Sequence, residues 1–126
     1  MVTQKPAPKF LNLLRIKLPP GAVASIGHRI SGMLMFLSIP LVVWQFALSL
    51  ESPEGLAAAR HYLRSIPALV ISVILVWSFN HHLLAGIRHL LLDIHIGMDK
   101  YAARRSARVV NAGALVLTLV YLVWIL

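Results

Sequence analysis

The sequence contains no cysteine. Disulfides, thiolate metal sites, iron–sulfur ligation and covalent haem attachment through a CxxCH motif are therefore excluded. Acidic residues are almost missing as well. Four Asp and Glu stand against twelve Lys and Arg in 126 residues, a formal charge of +8. That leaves little scope for carboxylate chemistry and argues against a proton or ion relay through the membrane. Charged residues of both signs amount to only 13%, whereas apolar residues reach 59%. Typical soluble domains have about 25% charged and roughly 45–50% apolar residues. Disorder is excluded by that apolar content, and a chain this small has too little interior to bury it. No hydrolase triad, P-loop, zinc pattern, internal repeat or low-complexity tract is present. The apolar excess must face lipid.

Three stretches carry no formal charge: residues 30–50, 66–87 and 109–126, of 21, 22 and 18 residues. A transmembrane helix needs about 20 predominantly apolar residues, within a range of about 17–25. The third stretch is short, but Asp99 can cap a helix that starts earlier and carries residues 101–108 into the interface. The first is too long, and starts too far in, for the apolar core of a signal peptide. Pro40 falls mid-span and predicts a kink supported by neighbouring helices. Ser52-Pro53 reads as an N-cap and helix-starting proline, opening a short surface helix over about residues 53–64. The expectation is one all-α membrane domain over residues 1–126. It has three transmembrane helices at about 25–50, 66–92 and 103–126, after an interfacial N-terminal segment at 1–24.

Basic residues divide unevenly around these spans. Residues 1–29 carry five and no acid, residues 51–65 carry two with two acids, and residues 88–108 carry five with two acids. Basic-rich loops stay cytoplasmic. The N-terminus is expected in the cytoplasm and the C-terminus in the periplasm. The same partition excludes nucleic acid as a partner, because a DNA-binding surface does not split its charge around apolar spans. The absence of an Arg- and Ser-rich lead-in favours a bacterial inner membrane over an imported mitochondrial protein.

Polar residues inside such spans are where chemistry resides. The second span ends Asn80-His81-His82-Leu83-Leu84-Ala85-Gly86-Ile87-Arg88-His89, with Asp93 beyond. At about 100° per residue, His82, Gly86, His89 and Asp93 lie at about 0°, 40°, −20° and 20°, one stripe of one helix. A neutral imidazole in a membrane suits an axial site on haem iron. Gly86 removes a side chain that would obstruct a flat macrocycle. His89, about 10 Å along the axis, is within reach of its propionate edge. His81 points about 100° away and is the rival ligand. Histidines that merely hydrogen-bond between helices are the plain alternative. His61 and His95 fall in loops and read as surface residues.

A second constellation opens the first span: Ser25-Ile26-Gly27-His28-Arg29-Ile30-Ser31-Gly32. Ser25, His28, Arg29 and Gly32 lie within about 100° of one another around the helix. An intramembrane arginine is costly unless it pairs or snorkels to the headgroups. A hydroxyl, an imidazole and a guanidinium together suit a polar headgroup, either a quinone carbonyl or a haem propionate.

These two motifs resemble the family of succinate dehydrogenase cytochrome b556 subunits, the larger membrane anchor of bacterial respiratory complex II. Ser25, His28, Arg29, Ser31 and Gly32 are similar to that family's S-x-x-H-R-x-[ST]-G signature. His82, Gly86, Arg88, His89 and Asp93 are similar to its H-x3-G-x-R-H-x3-D signature. Residues 49–55 add to the likeness, which covers nearly the whole chain; Lys17-Leu18-Pro19-Pro20 differ from the family's lead-in. The resemblance implies that His82 is an axial ligand of one haem b, shared with a partner subunit that brings the second ligand. It implies that His28, Arg29 and His89 surround the haem propionates, and that Ser25 and Arg29 line a ubiquinone headgroup site. Implied partners are the smaller membrane anchor, the iron–sulfur subunit and the flavoprotein subunit, besides quinone and membrane lipid. Succinate oxidation would fall to a partner subunit, and no residue here is expected to be catalytic. The rival reading is a redox-inactive membrane scaffold for a peripheral enzyme.

Overall fold

The computed structural model describes residues 17–125 and is all-helical among them. Helix α1 runs Pro20–Glu51, α2 Pro53–Leu63, α3 Ile66–Asp93 and α4 Lys100–Ile125. Helices α1, α3 and α4, of 32, 28 and 26 residues, are long and apolar enough to cross a membrane. The expected interfacial segment falls mostly on residues 1–16, outside the described residues, and its last five residues belong to α1.

Local chemistry sets the ends of these helices. Proline occupies the first turn of α1, α2 and α3, where its missing N–H removes no helical bond. Ser52 Oγ accepts from the Gly55 N–H at 3.0 Å and caps α2, as the Ser52-Pro53 pair predicts. Asp99 caps α4, its Oδ1 accepting from the N–H groups of Tyr101 and Ala102 at 3.0 Å each. The expected early start of that helix is borne out. Between α3 and α4 the chain turns through His95 and Gly97, at φ 65° and 75°. Helix α1 continues through Pro40, where the carbonyl of Phe36 forgoes its usual donor.

Small residues, rather than large ones, make the core. Ala24, Ala85, Ala107 and Val110 form one buried cluster with Leu84 packed on it, and Ser31 and Ser78 are fully buried. Lipid tails are as apolar as leucine, so membrane helices gain by close backbone approach and satisfied polar groups, not by hiding large side chains. Phe36, Leu37, Leu50, Val123 and Trp124 accordingly face outward. Buried or half-buried hydroxyls bond back to their own helix: Ser31 to His28 O, Ser72 to Leu69 O, Ser78 to Ile74 O and Thr118 to Ala114 O. Helix α3 packs against both α1 and α4, which also touch each other. Both histidine-bearing faces of α3 thus lie close to another helix.

Candidate functional site at the seam of α1 and α3

His28 is the hub of the site. Its ring stacks on His82 with centroids 4.1 Å apart and planes 17° from parallel, and lies 5.2 Å from the ring of His89. The α3 stripe of His82, Gly86 and His89 therefore faces the motif of α1. Two parallel rings 4.1 Å apart cannot occupy opposite faces of one iron, so His28 and His82 are not an axial pair. Gly86 keeps the seam narrow. A Cβ there would lie 3.6 Å from His28 Nε2, so the room left by this glycine is taken by an imidazole.

The protonation pattern of His82 follows from its neighbours. Nδ1 lies 3.1 Å from the carbonyl oxygen of His28, which can only accept, so Nδ1 carries the proton and donates. Ser31 Oγ is 3.4 Å from the same nitrogen while its own proton goes to His28 O at 2.9 Å. Nε2 then holds the lone pair and has no hydrogen-bond partner among the described residues. An imidazole anchored through Nδ1–H on a backbone carbonyl, with Nε2 free, is how proteins orient a metal-ligating histidine. Gly32 lets α1 approach: a Cβ there would lie 2.8 Å from His82 Cε1.

His81 lives in a different setting. It is 3% exposed and turned toward α4, where Nε2 lies 3.2 Å from Asn111 Oδ1. Asn111 Nδ2 donates to the Pro20 carbonyl at 3.4 Å, which sets its amide so that Oδ1 faces the histidine. Nε2 of His81 is thus the protonated nitrogen, and Nδ1 is buried without a partner among the described residues. Gly27 closes over the ring, its Cβ position only 2.5 Å from Cε1. The chain Pro20–Asn111–His81 ties α1, α4 and α3 together. Asn111 is missing from the sequence-based expectations, although a lone amide in an apolar span could have pointed to it.

The remaining site residues distribute around this seam. Ser25 is half-buried and Arg29 exposed; neither hydrogen-bonds through its side chain to a described residue. His28 and Gly32 are brought against α3, while Arg29 stays on the outer flank. Asp93, His61 and His95 are exposed, the last two as expected. Among the described residues no three His, Asp or Glu side chains converge to hold a metal ion by themselves.

Comparison with known proteins matches residues 3–121 to the model of the succinate dehydrogenase/fumarate reductase transmembrane subunit. The chain is 34% identical over 107 residues to the succinate dehydrogenase cytochrome b556 subunit of Paracoccus denitrificans, covering 85% of this chain and 82% of that one. It is 33% identical over 119 residues to the protein of the same name from Coxiella burnetii, with 94% and 95% covered. The Rickettsia prowazekii protein of that name is 31% identical over 104 residues, with 80% and 77% covered. The two motifs, the three apolar helices and a match across almost the full length agree, and the chain belongs to the succinate dehydrogenase/fumarate reductase transmembrane subunit family.

Proposed function

We propose that this chain is the cytochrome b membrane anchor of a succinate:quinone oxidoreductase, with His82 as its axial ligand to one haem b. The observation that carries this reading is the state of His82: Nδ1–H held by a backbone carbonyl, Nε2 free, the ring half-buried at the edge of the bundle. A buried neighbour with its donor spent on Asn111 is the alternative ligand, and the bundle seals it from any cofactor outside. The donor chemistry fits haem. His82 would give the haem one neutral imidazole from this chain, and the smaller anchor subunit would supply the other ligand. Bound there, haem b supplies one-electron redox chemistry. His28 and His89, with rings 5.2 Å apart, and Arg29 on the outer flank of α1 serve the propionates.

Ser25 and Arg29, one helical turn apart on α1, form the headgroup part of the ubiquinone site. An exposed guanidinium and a half-buried hydroxyl are free to donate to a quinone oxygen. Succinate is oxidised in the flavoprotein subunit, and electrons arrive through the iron–sulfur subunit docked on the cytoplasmic face. The N-terminus lies in the cytoplasm of a bacterial cell and the C-terminus in the periplasm, as the division of basic residues favours.

A visible spectrum tests the ligand. His82→Ala in the assembled complex is expected to lose the low-spin b-type band on reduction, and His81→Ala to keep it. The reverse pattern assigns the ligand to His81, and a wild-type complex with no b-type band leaves the redox-inactive scaffold.

A further inference from the structure

Arg88 belongs to the histidine motif but not to the histidine seam. It sits about 120° around α3 from His82, on the face that meets α4. Its side chain is only 9% exposed. Nε donates to Ser106 Oγ at 3.1 Å and Nη2 to the Ala103 carbonyl at 3.3 Å. Neither partner is an anion, and all four acidic residues of the chain are exposed. A buried guanidinium at the edge of a membrane span is costly unless an anion compensates it. Beside it lies a cleft of about 440 Å³ between α3, α4 and the turn that joins them. Leu84, Ile87, Leu91 and Val109 wall it with hydrocarbon, and Arg105 joins Arg88 in its lining. That volume lies within the range of small-molecule pockets.

We infer that this cleft is a binding site for an anionic phospholipid. The apolar walls accommodate an acyl chain, Arg105 meets the phosphate with its planar fork, and Arg88 adds its charge and its remaining Nη1 donors. Free phosphate would find the guanidinium groups but leave the hydrocarbon walls uncovered, whereas a zwitterionic lipid would bring a cation against two arginines. Basic pockets between membrane helices recognise anionic headgroups by this combination. The site is independent of the haem reading, because it uses another face of α3.

The test uses the full chain, with the subunits that co-purify, in mild detergent. Phosphatidylglycerol, phosphatidylcholine and inorganic phosphate are titrated while thermal unfolding is followed and retained lipid is counted by native mass spectrometry. Phosphatidylglycerol is expected to bind about five- to tenfold more tightly than phosphatidylcholine. Inorganic phosphate alone is expected to give no stabilisation. Arg88→Gln and Arg105→Gln should each remove the preference. Arg105 is exposed, so its variant keeps the test decisive if Arg88→Gln fails to fold. Arg104→Gln removes the same charge from a neighbouring exposed residue outside the cleft and should leave the preference intact. Equal binding of the two lipids, a preference surviving Arg105→Gln, or an equal loss in Arg104→Gln would overturn the site. Stabilisation by inorganic phosphate to the same extent would overturn it too.

Discussion

His81 and His82 are adjacent in sequence, yet one is sealed and the other stands at an open seam. The cause is the 100° step of the helix, which sends His81 to α4 and His82 to α1. On the α4 side the polar side chains bond within the protein. Asn111 bridges His81 to Pro20, and Arg88 bonds Ser106 and Ala103. On the α1 side, His82 is anchored by one nitrogen and leaves the other unused. The difference teaches that a histidine in a membrane helix is not a ligand because of its residue type. Each ring spends one N–H and keeps one unpartnered nitrogen, and helical phase decides whether that nitrogen is sealed in the bundle or left at the seam. Substitutions on the closed side should lower stability and spare the chemistry, and those on the open side should do the opposite.

The largest effect after loss of His82 itself belongs to Arg29. Arg29→Lys keeps the charge but loses the planar fork, so quinone reduction should slow by about 10- to 150-fold, the rate equivalent of one charge-assisted hydrogen bond. Succinate oxidation with a soluble acceptor should stay near normal in the same membranes. Equal loss of both rates would mean failed assembly. An unchanged quinone rate would mean that Arg29 only snorkels.

Next come the two glycines of α1, each opposite one histidine. Gly27→Ala pushes a methyl into the buried His81 ring, which has nowhere to go, and overpacking of this kind costs about 1–3 kcal/mol. Gly32→Ala meets the half-buried His82 ring, which can turn, so stability should fall less while haem is held more weakly. Melting temperature and b-type absorbance measured together separate the two. If both variants moved both readouts alike, the two sides of α3 would not be distinct.

A smaller effect is expected from Asn111→Leu. It strands the His81 donor in a sealed site and should cost about 1–2 kcal/mol, typical of interhelical hydrogen bonds in membranes at the upper end. Combining it with His81→Leu should recover part of that loss, because two apolar groups replace an unsatisfied polar one. A double-mutant cycle in detergent unfolding reads the coupling, and strict additivity would deny the bond. Ser31→Ala is the mildest change. The 3.4 Å contact to His82 Nδ1 is secondary to the His28 carbonyl, so the rate of haem loss should rise by about two- to fivefold, as for a weak hydrogen bond.

Much of this was legible in the order of residues. Charge-free runs long enough for a bilayer marked α1, α3 and α4, and Ser52-Pro53 and Asp99 marked helix starts, because capping is local chemistry within three residues. The stripe of His82, Gly86 and His89 is also local, since one helix determines its own faces. What opposes that stripe is not local. The space at Gly86 reads in sequence as open room, yet the His28 ring lies beside it, and Arg29 stays outside while its neighbour His28 turns in.

Sequence alone thus determined an all-helical membrane chain, its helix ends, its family and the histidines worth weighing. Only the tertiary structure decided which nitrogen of each histidine carries the proton, that Asn111 claims His81, and that Arg88 is buried beside a cleft without an acid partner. The physical reason is range. Hydropathy, capping and helical phase act within a few residues of each position, whereas a tautomer or a buried charge is settled by groups on other helices, 15 to 91 residues apart.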